Sequence, residues 1–301
     1  MDRKRLFPIL LIVFTNILGA GVILPILPLY AEGQFGGTIL QITLLSTSYF
    51  AAQFLAAPWL GRLSDRYGRR PVLIVSQIGT VLAFILFILA VPLGQVIDSW
   101  GLALPMSGGM IMLYLARILD GITGGNITTA QAYVTDVTPE EQRAQGLGLV
   151  QAAFGAGFIF GPAFGGVLGN LGPVAPFVGA TIITVGTLLL TVFTLEESLP
   201  PEARAGGQPE TRSGGQPEAR AAGQPGIRAG GQSDAEPRPS IPLTDFLRIG
   251  PLRVILAVGF FSSLAFAAVP ATFALYANRV LFTDLADPGR VQLYIGLMLT
   301  F

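Results

Sequence analysis

Apolar residues do not alternate along this chain with a helix or strand period. They come in long blocks, broken by short polar clusters. Residues 6–30, 39–61, 72–91 and 108–133 are each nearly free of charge. Residues 144–195 hold no Asp, Glu, Lys or Arg at all. A membrane-spanning helix needs about 20 mostly apolar residues, so the first four blocks each predict one span. The fifth is long enough for two, and Asn170-Leu171-Gly172-Pro173 supplies turn chemistry to divide it. Six spans are therefore expected by residue 195, with 145–169 and 176–195 as the fifth and sixth. A seventh is expected over 254–276, and an eighth starts near Val291. The eighth stops at Phe301, too short to cross, so the chain reads as cut inside a span.

Composition agrees with this pattern. The chain is 51% hydrophobic and 12% charged, with a mean hydropathy of +0.63. That is about half the charge of a soluble domain. The opening Met1-Asp2-Arg3-Lys4-Arg5 resembles the start of a secretory signal, but the apolar run to Tyr30 is too long for one. It is read as a retained first span. The net charge of zero argues against a nucleic-acid partner. With no cysteine and no histidine, thiol chemistry and imidazole chemistry are excluded. Proton transfer would have to use Asp, Glu or Tyr. No metal site, no cofactor and no enzymatic activity are expected.

The charges that do occur set a topology. Gly61-Arg62-Leu63-Ser64-Asp65-Arg66-Tyr67-Gly68-Arg69-Arg70 is predicted to be a tight basic loop between the second and third spans. Arg-rich short loops remain cytoplasmic. With the N-terminus on the same side, 15 of the 18 Lys and Arg fall in cytoplasmic segments. Arg279 and Arg290 lie outside, and Arg117 lies within a span. A multi-pass plasma-membrane protein with a cytoplasmic N-terminus follows, embedded in a lipid bilayer. Pro92–Ser107 is expected to be an external loop.

Residues 196–245 differ from the rest. PEARAGGQ, PETRSGGQ, PEARAAGQ and PGIRAGGQ follow one another from Pro201 to Gln232. Such units have no apolar face to bury. A flexible cytoplasmic tether is expected, with an end-to-end distance of roughly 35–42 Å. The predicted organisation is thus a six-helix bundle over 1–195, the tether over 196–245, and the start of a second bundle over 246–301. The fold class is all-α and polytopic.

Three clusters carry candidate chemistry. In the basic loop, Gly61 and Gly68 allow close approach and tight turning. Asp65 can pair with Arg66, Arg69 or Arg70, or sit at a helix N-terminus. In the fourth span, Arg117 and Asp120 stand one turn apart and can pair. A lone mid-membrane charge costs at least about 2.5–3.5 kcal/mol, so both should face a partner or a cavity. They form either a structural ion pair or a titratable site in which Arg117 tunes Asp120. In the fifth span, Gly157, Gly161 and Gly165 share one face, with Gly166 beside them and Pro162 adding a bend. Small residues let helices touch. Asn16, Gln41, Gln53, Asn126 and Gln151 are polar positions in or near spans. With the kink residue Pro25, they are candidates to line a central cavity or to join helices.

These clusters, in this order, carry a resemblance. The basic loop matches the loop motif of the major facilitator superfamily. Arg117-x-x-Asp120-Gly121-x-x-Gly124 resembles its fourth-helix motif. Gly157-x-x-x-Gly161-Pro162-x-x-Gly165-Gly166 resembles the fifth-helix motif of its proton-coupled exporters. GRLSDRYGRRPVL and ARILDGITGG are most similar to the tetracycline and multidrug efflux branch.

The resemblance implies a twelve-helix carrier that exports a small amphiphilic compound against protons by alternating access. It implies that Asp65 and its arginines latch two halves, and that the fifth-helix bend seals one side of the path. Without the second half, no transport is expected from these residues alone. Tetracycline exporters carry acids at the positions of Asn16 and Ala83, and this chain does not. That sets it apart from substrate and proton handling of the tetracycline kind. A proton symporter of the same fold and a non-transporting receptor or scaffold are the alternative readings.

Overall fold

The computed structural model describes residues 3–101, 105–124 and 126–199, together with 253–254, 257–259, 261–262, 272–281, 291, 294–295 and 298. The octapeptide repeats lie outside the described residues, as do most of the seventh and eighth spans.

The first block forms α1 (Arg3–Phe35), which runs unbroken through Pro8, Pro25 and Pro28. α2 (Ile39–Tyr67) starts at a capping box, with Thr38 accepting from the Gln41 backbone and Gln41 closing back onto Thr38. Gln41 therefore serves a helix end and not a cavity. α2 does not stop at Gly61. It continues through Asp65 and Arg66, so the expected basic loop is mostly helix and the turn is the single residue Gly68. Charged residues in a last turn project into water and do not stop a helix. Gly68 does, with φ +107 and ψ 162, a conformation open essentially to glycine alone. Gly61 lies inside α2, where an added Cβ would meet nothing within 4 Å, so no close approach there calls for glycine.

α3 (Arg69–Ile88) is followed at Leu89 by α4 (Ala90–Ser99). Much of the expected external loop is thus helical. Pro92 stands in the first turn of α4, where its missing N–H does no harm. The fourth block divides into α5 (Gly108–Thr123) and α6 (Asn126–Val137) where a continuous span was expected. The break is at Gly124, and the Gln53 side chain donates to the freed Gly124 carbonyl at 2.8 Å. Broken membrane helices need such a partner for their backbone. After a short 3-10 turn (Glu140–Gln142) come α7 (Arg143–Gly169) and α8 (Ala175–Thr194). Among the described residues, five helices are long and apolar enough to cross a membrane.

α1 is the axis of the bundle. Of its most apolar stretch 56% is buried, against 11% for α2, so α2 lies at the periphery with its apolar side outward. The α1–α7 contact is the most extensive among the described residues. A Cβ on Gly161 would stand 2.7 Å from Gly21 Cα, and one on Gly157 would stand 2.7 Å from the Phe14 carbonyl oxygen. The glycine stripe of the fifth span is thus the seam on which two backbones meet. α8 joins its neighbours through hydroxyls. Thr187 donates to Thr15 at 2.8 Å, and Gln77 and Thr191 bond to each other at 2.8 and 3.0 Å.

The apolar core has two layers. One gathers Leu6, Ile9, Ile12, Val13 and Ile17 with Leu73, Tyr133 and Val150. It lies toward the end of the bundle that carries Gly68, here called the basic end. The other gathers Ile23, Ile26, Leu27 and Tyr30 with Leu45, Phe84, Phe87, Leu113 and Phe177, toward the far end. The candidate site lies between them.

Candidate functional site

A cavity of about 140 Å³ opens midway along the helices. α1 contributes Ile17, Ala20, Gly21 and Leu24, and α2 contributes Ser46, Tyr49, Phe50 and Gln53. Arg117 and Asp120 enter from α5, Ile127 from α6, and Phe154 and Phe158 from α7. α1, α2 and α7 reach the cavity near their midpoints, and α5 and α6 reach it on either side of the Gly124 break, so these residues occupy one level of the bundle. The wall is mostly apolar and carries four aromatic rings, Tyr49, Phe50, Phe154 and Phe158, the last two stacked at 6.3 Å.

Among the described residues, the charges on this wall are the expected pair. The side chains of Arg117 and Asp120 are each 8% exposed. Arg117 Nη1 stands 3.6 Å from Asp120 Oδ2, an ion pair without a close hydrogen bond. The guanidinium lies over Tyr49 at 5.3 Å and over Phe87 at 5.5 Å, as weakly hydrated Arg does on ring faces. Its Nε is buried with no hydrogen-bond partner. The Thr80 side chain of α3 stands beside the Asp120 carboxylate. This is a buried pair with spare hydrogen-bonding capacity facing an open space.

The other cavity candidates separate cleanly. Gln53 lines the space and holds the α5–α6 break. Pro25 is buried inside the α1 packing and does not line it. Asn16 is also absent from the wall, and its amide nitrogen is buried without a partner. Gln151 sits on an exposed face, where it accepts from Gln131 at 3.5 Å. The helical pattern places Asn126 at the start of α6, and its side chain lies outside the described residues. Tyr49 is one of several wall residues that are not sequence candidates. A tyrosine in an apolar run gives no signal until an arginine is seen to lie on it.

The basic end is a different construction. Arg69 is its hub. It donates to Asp65 at 2.5 Å, to Asp136 at 3.0 Å and to Ser64 at 3.1 Å. Arg70 donates to the Val192 carbonyl of α8 at 2.6 Å. Arg66 stays exposed, over the Tyr67 ring at 5.4 Å. Glu197 completes the arrangement from beyond α8. Its carboxylate accepts from the Arg69 and Arg70 backbone N–H groups at 2.9 and 3.2 Å. A carboxylate at a helix N-terminus satisfies free donors and complements the helix dipole. A Cβ on Gly68 would collide with this carboxylate, so the glycine admits Glu197 as well as turning the chain. Neither Asp136 nor Glu197 is a sequence candidate. In the fifth span, Gly157, Gly161, Pro162, Gly165 and Gly166 are all buried. The first, second and fourth of these press on the α1 backbone.

Comparison with known proteins agrees with this arrangement. The chain is 35% identical over 191 residues to the class B tetracycline resistance protein of Escherichia coli, covering 63% of this chain and 43% of that protein. It is 37% identical over 205 residues to the class C protein of Escherichia coli, covering 67% and 48%. It is 32% identical over 206 residues to multidrug resistance protein 2 of Bacillus subtilis, covering 67% and 47%. The chain thus spans about half the length of the curated relatives it matches. The solved structure of the human organic anion transporter MFSD10 aligns with a TM-score of 0.59 at 21% identity. It covers 99% of this chain and 70% of that one, which shows a shared fold. The family model of the Major Facilitator Superfamily matches residues 9–301. A polytopic all-helical bundle, its intramembrane ion pair and this match together show that the chain belongs to the Major Facilitator Superfamily of membrane transporters.

Proposed function

We propose that the protein exports small amphiphilic compounds in exchange for protons, by alternating access around the mid-membrane cavity. The observation that carries this reading is the under-bonded Arg117–Asp120 pair on an apolar wall that holds four aromatic rings. The aromatic surface suits a flat apolar body. The pair supplies one carboxylate that can gain and lose a proton, and one cation that can hold it ionised or engage the compound. Binding at the level of the bilayer centre is the usual arrangement in carriers built from repeats. Tetracycline and multidrug resistance relatives support efflux as the direction. The neutral residues Asn16 and Ala83 favour a general amphiphile over tetracycline itself.

In this reading the basic end faces the cytoplasm, and Arg69 with Asp65, Asp136 and Glu197 holds one closed geometry of the gate. The protein would reside in the plasma membrane with its N-terminus inside. The experiment is direct. Inside-out vesicles holding the full-length protein are acidified within, and amphiphilic dyes are added outside. Dye-dependent collapse of the pH gradient is expected. A gradient that no dye disturbs, together with dye uptake into right-side-out vesicles, would replace export with import. A reporter fused near residue 66 that appears outside the cell would invert the orientation.

A further inference from the structure

The outer surface of this bundle is not uniform. Where α2 and α8 face outward they present large apolar side chains, among them Leu55, Trp59, Ile182 and Phe193, at 67–80% exposure. Toward the basic end, the outward face of α7 presents instead Gln145, Gly148, Gln151 and Ala152. Beside it on α6 stands Gln131, whose Nε2 donates to Gln151 Oε1 at 3.5 Å. Hydrocarbon offers an exposed amide no hydrogen-bond partner, so such groups are costly on a lipid-facing surface. This face is therefore not built to meet lipid.

The two amides stand at the edge of the cavity. α6 runs from the Gly124 break toward Asp136 at the basic end, and α7 runs back from that end. Ile127 and Phe154 line the cavity. Gln131 follows Ile127 by four positions on α6, and Gln151 precedes Phe154 by three on α7. Each amide thus lies one turn, roughly 5–6 Å, from the cavity on its basic-end side. Residues one turn apart share a helix face, so both amides continue the sides of α6 and α7 that form the wall. The bond between them is long, and among the described residues no other hydrogen bond engages either side-chain amide. Gln131 Oε1 is left as an acceptor and Gln151 Nε2 as a donor, side by side.

We propose that Gln131 and Gln151 form a second recognition site, which selects compounds that carry a carboxamide on a flat apolar ring. A carboxamide holds a carbonyl acceptor and N–H donors on adjacent atoms. Its carbonyl would accept from Gln151 Nε2 while its N–H donates to Gln131 Oε1. A ketone satisfies the donor alone, and an alkyl group satisfies neither. The site rests on the transport reading and deepens it. The cavity takes the apolar body, and the amide pair reads the polar edge of the same compound.

The test measures binding without transport and uses the absence of native cysteine. Gly155 follows Gln151 by one turn on α7, and an added Cβ there would meet nothing within 4 Å. The full-length protein carrying Gly155→Cys is labelled in detergent with a fluorescent maleimide, while 1-naphthamide or 1-acetylnaphthalene is titrated in. The two probes share the ring and the carbonyl, and differ by an amino group in place of a methyl. Each should slow the labelling. The ratio of their half-protecting concentrations is read, so unequal uptake into detergent cancels between variants. Adding Gln131→Met should move this ratio about fivefold against the amide, the size of one net hydrogen bond. Gln131→Glu, which keeps an acceptor, should leave the ratio near that of the parent. Gln151→Met should weaken both probes by about fivefold, because both lose the donor to their carbonyl.

A ratio unmoved by Gln131→Met would overturn the proposal. So would a Gln151→Met protein that binds both probes as tightly as the parent, or a thiol at position 155 that neither probe protects at saturation. A protein that shows the expected ratios but exports no dye keeps the recognition site and loses the transport reading. One that exports dye with an unmoved ratio keeps transport and loses the site.

Discussion

Two arginines, 48 positions apart, sit in opposite circumstances. Arg69 has a donor directed at each of three acceptors on two helices. Arg117 has one partner at 3.6 Å, two ring faces and an Nε with no acceptor. Both are nearly buried, so burial does not distinguish them. Satisfaction does. A fully bonded buried charge fixes a geometry, and removing one member leaves its partners exposed to the whole desolvation cost. An under-bonded charge beside a cavity keeps capacity for a visiting proton or ligand. On the proposed reading, the basic end is architecture and the middle carries the chemistry.

The strongest way to break the comparison is Arg69→Ala. It leaves Asp136, which is 24% exposed, without its cation but with the Ser198 hydroxyl at 3.0 Å, and frees Asp65, which is already 63% exposed. Losing one partner of a fully buried pair costs about 3–5 kcal/mol, and partial exposure here should bring the loss toward about 2 kcal/mol. Thermal unfolding in detergent should show it. A melting temperature equal to that of the parent would deny Arg69 its role as hub.

Gly68→Ala comes next. Positive φ and the collision with Glu197 should together cost about 1–3 kcal/mol. Glu197→Ala alone should cost about 1 kcal/mol, as loss of a helix cap does. The double variant should cost less than the sum, since the carboxylate that a Cβ at position 68 would strike is gone. Strict additivity would show that Gly68 is needed only for its backbone angle.

The smallest expected effect sharpens the other side. Gln53→Leu removes the bond to the Gly124 carbonyl and should cost about 1 kcal/mol of stability. Its larger consequence should be on dye affinity, because the α5–α6 break helps shape the cavity wall. Equal affinity in Gln53→Leu and the parent would place Gln53 in the scaffold.

Much of this was legible in the sequence, and the physical reasons differ by region. Spans announce themselves because lipid forbids charge, so blocks such as 144–195 could have no other reading. Arg117 and Asp120 stood out for the same reason. Boundaries were harder to read. α2 runs past Gly61 to Tyr67 because nothing before Gly68 stops a helix, and Pro92 is harmless in a first turn. The break at Gly124 was hidden because glycine in a membrane helix signals either packing or breakage. The partners of Arg69 were beyond reach, since Asp136 and Glu197 lie 67 and 128 residues away in sequence. Spacing cannot reveal such contacts. Gln41, Pro25 and Gln151 show the opposite error, in which polarity or a kink suggests a cavity that the fold places elsewhere.

The most direct test is made on Asp120→Asn in proteoliposomes, with two readings from one preparation. Gradient-driven export should be lost, because the neutral amide cannot carry a proton. Exchange of labelled for unlabelled dye across the membrane, which needs no proton, should persist. Export still driven by the pH gradient in Asp120→Asn would contradict the account and return the Arg117–Asp120 pair to the scaffold.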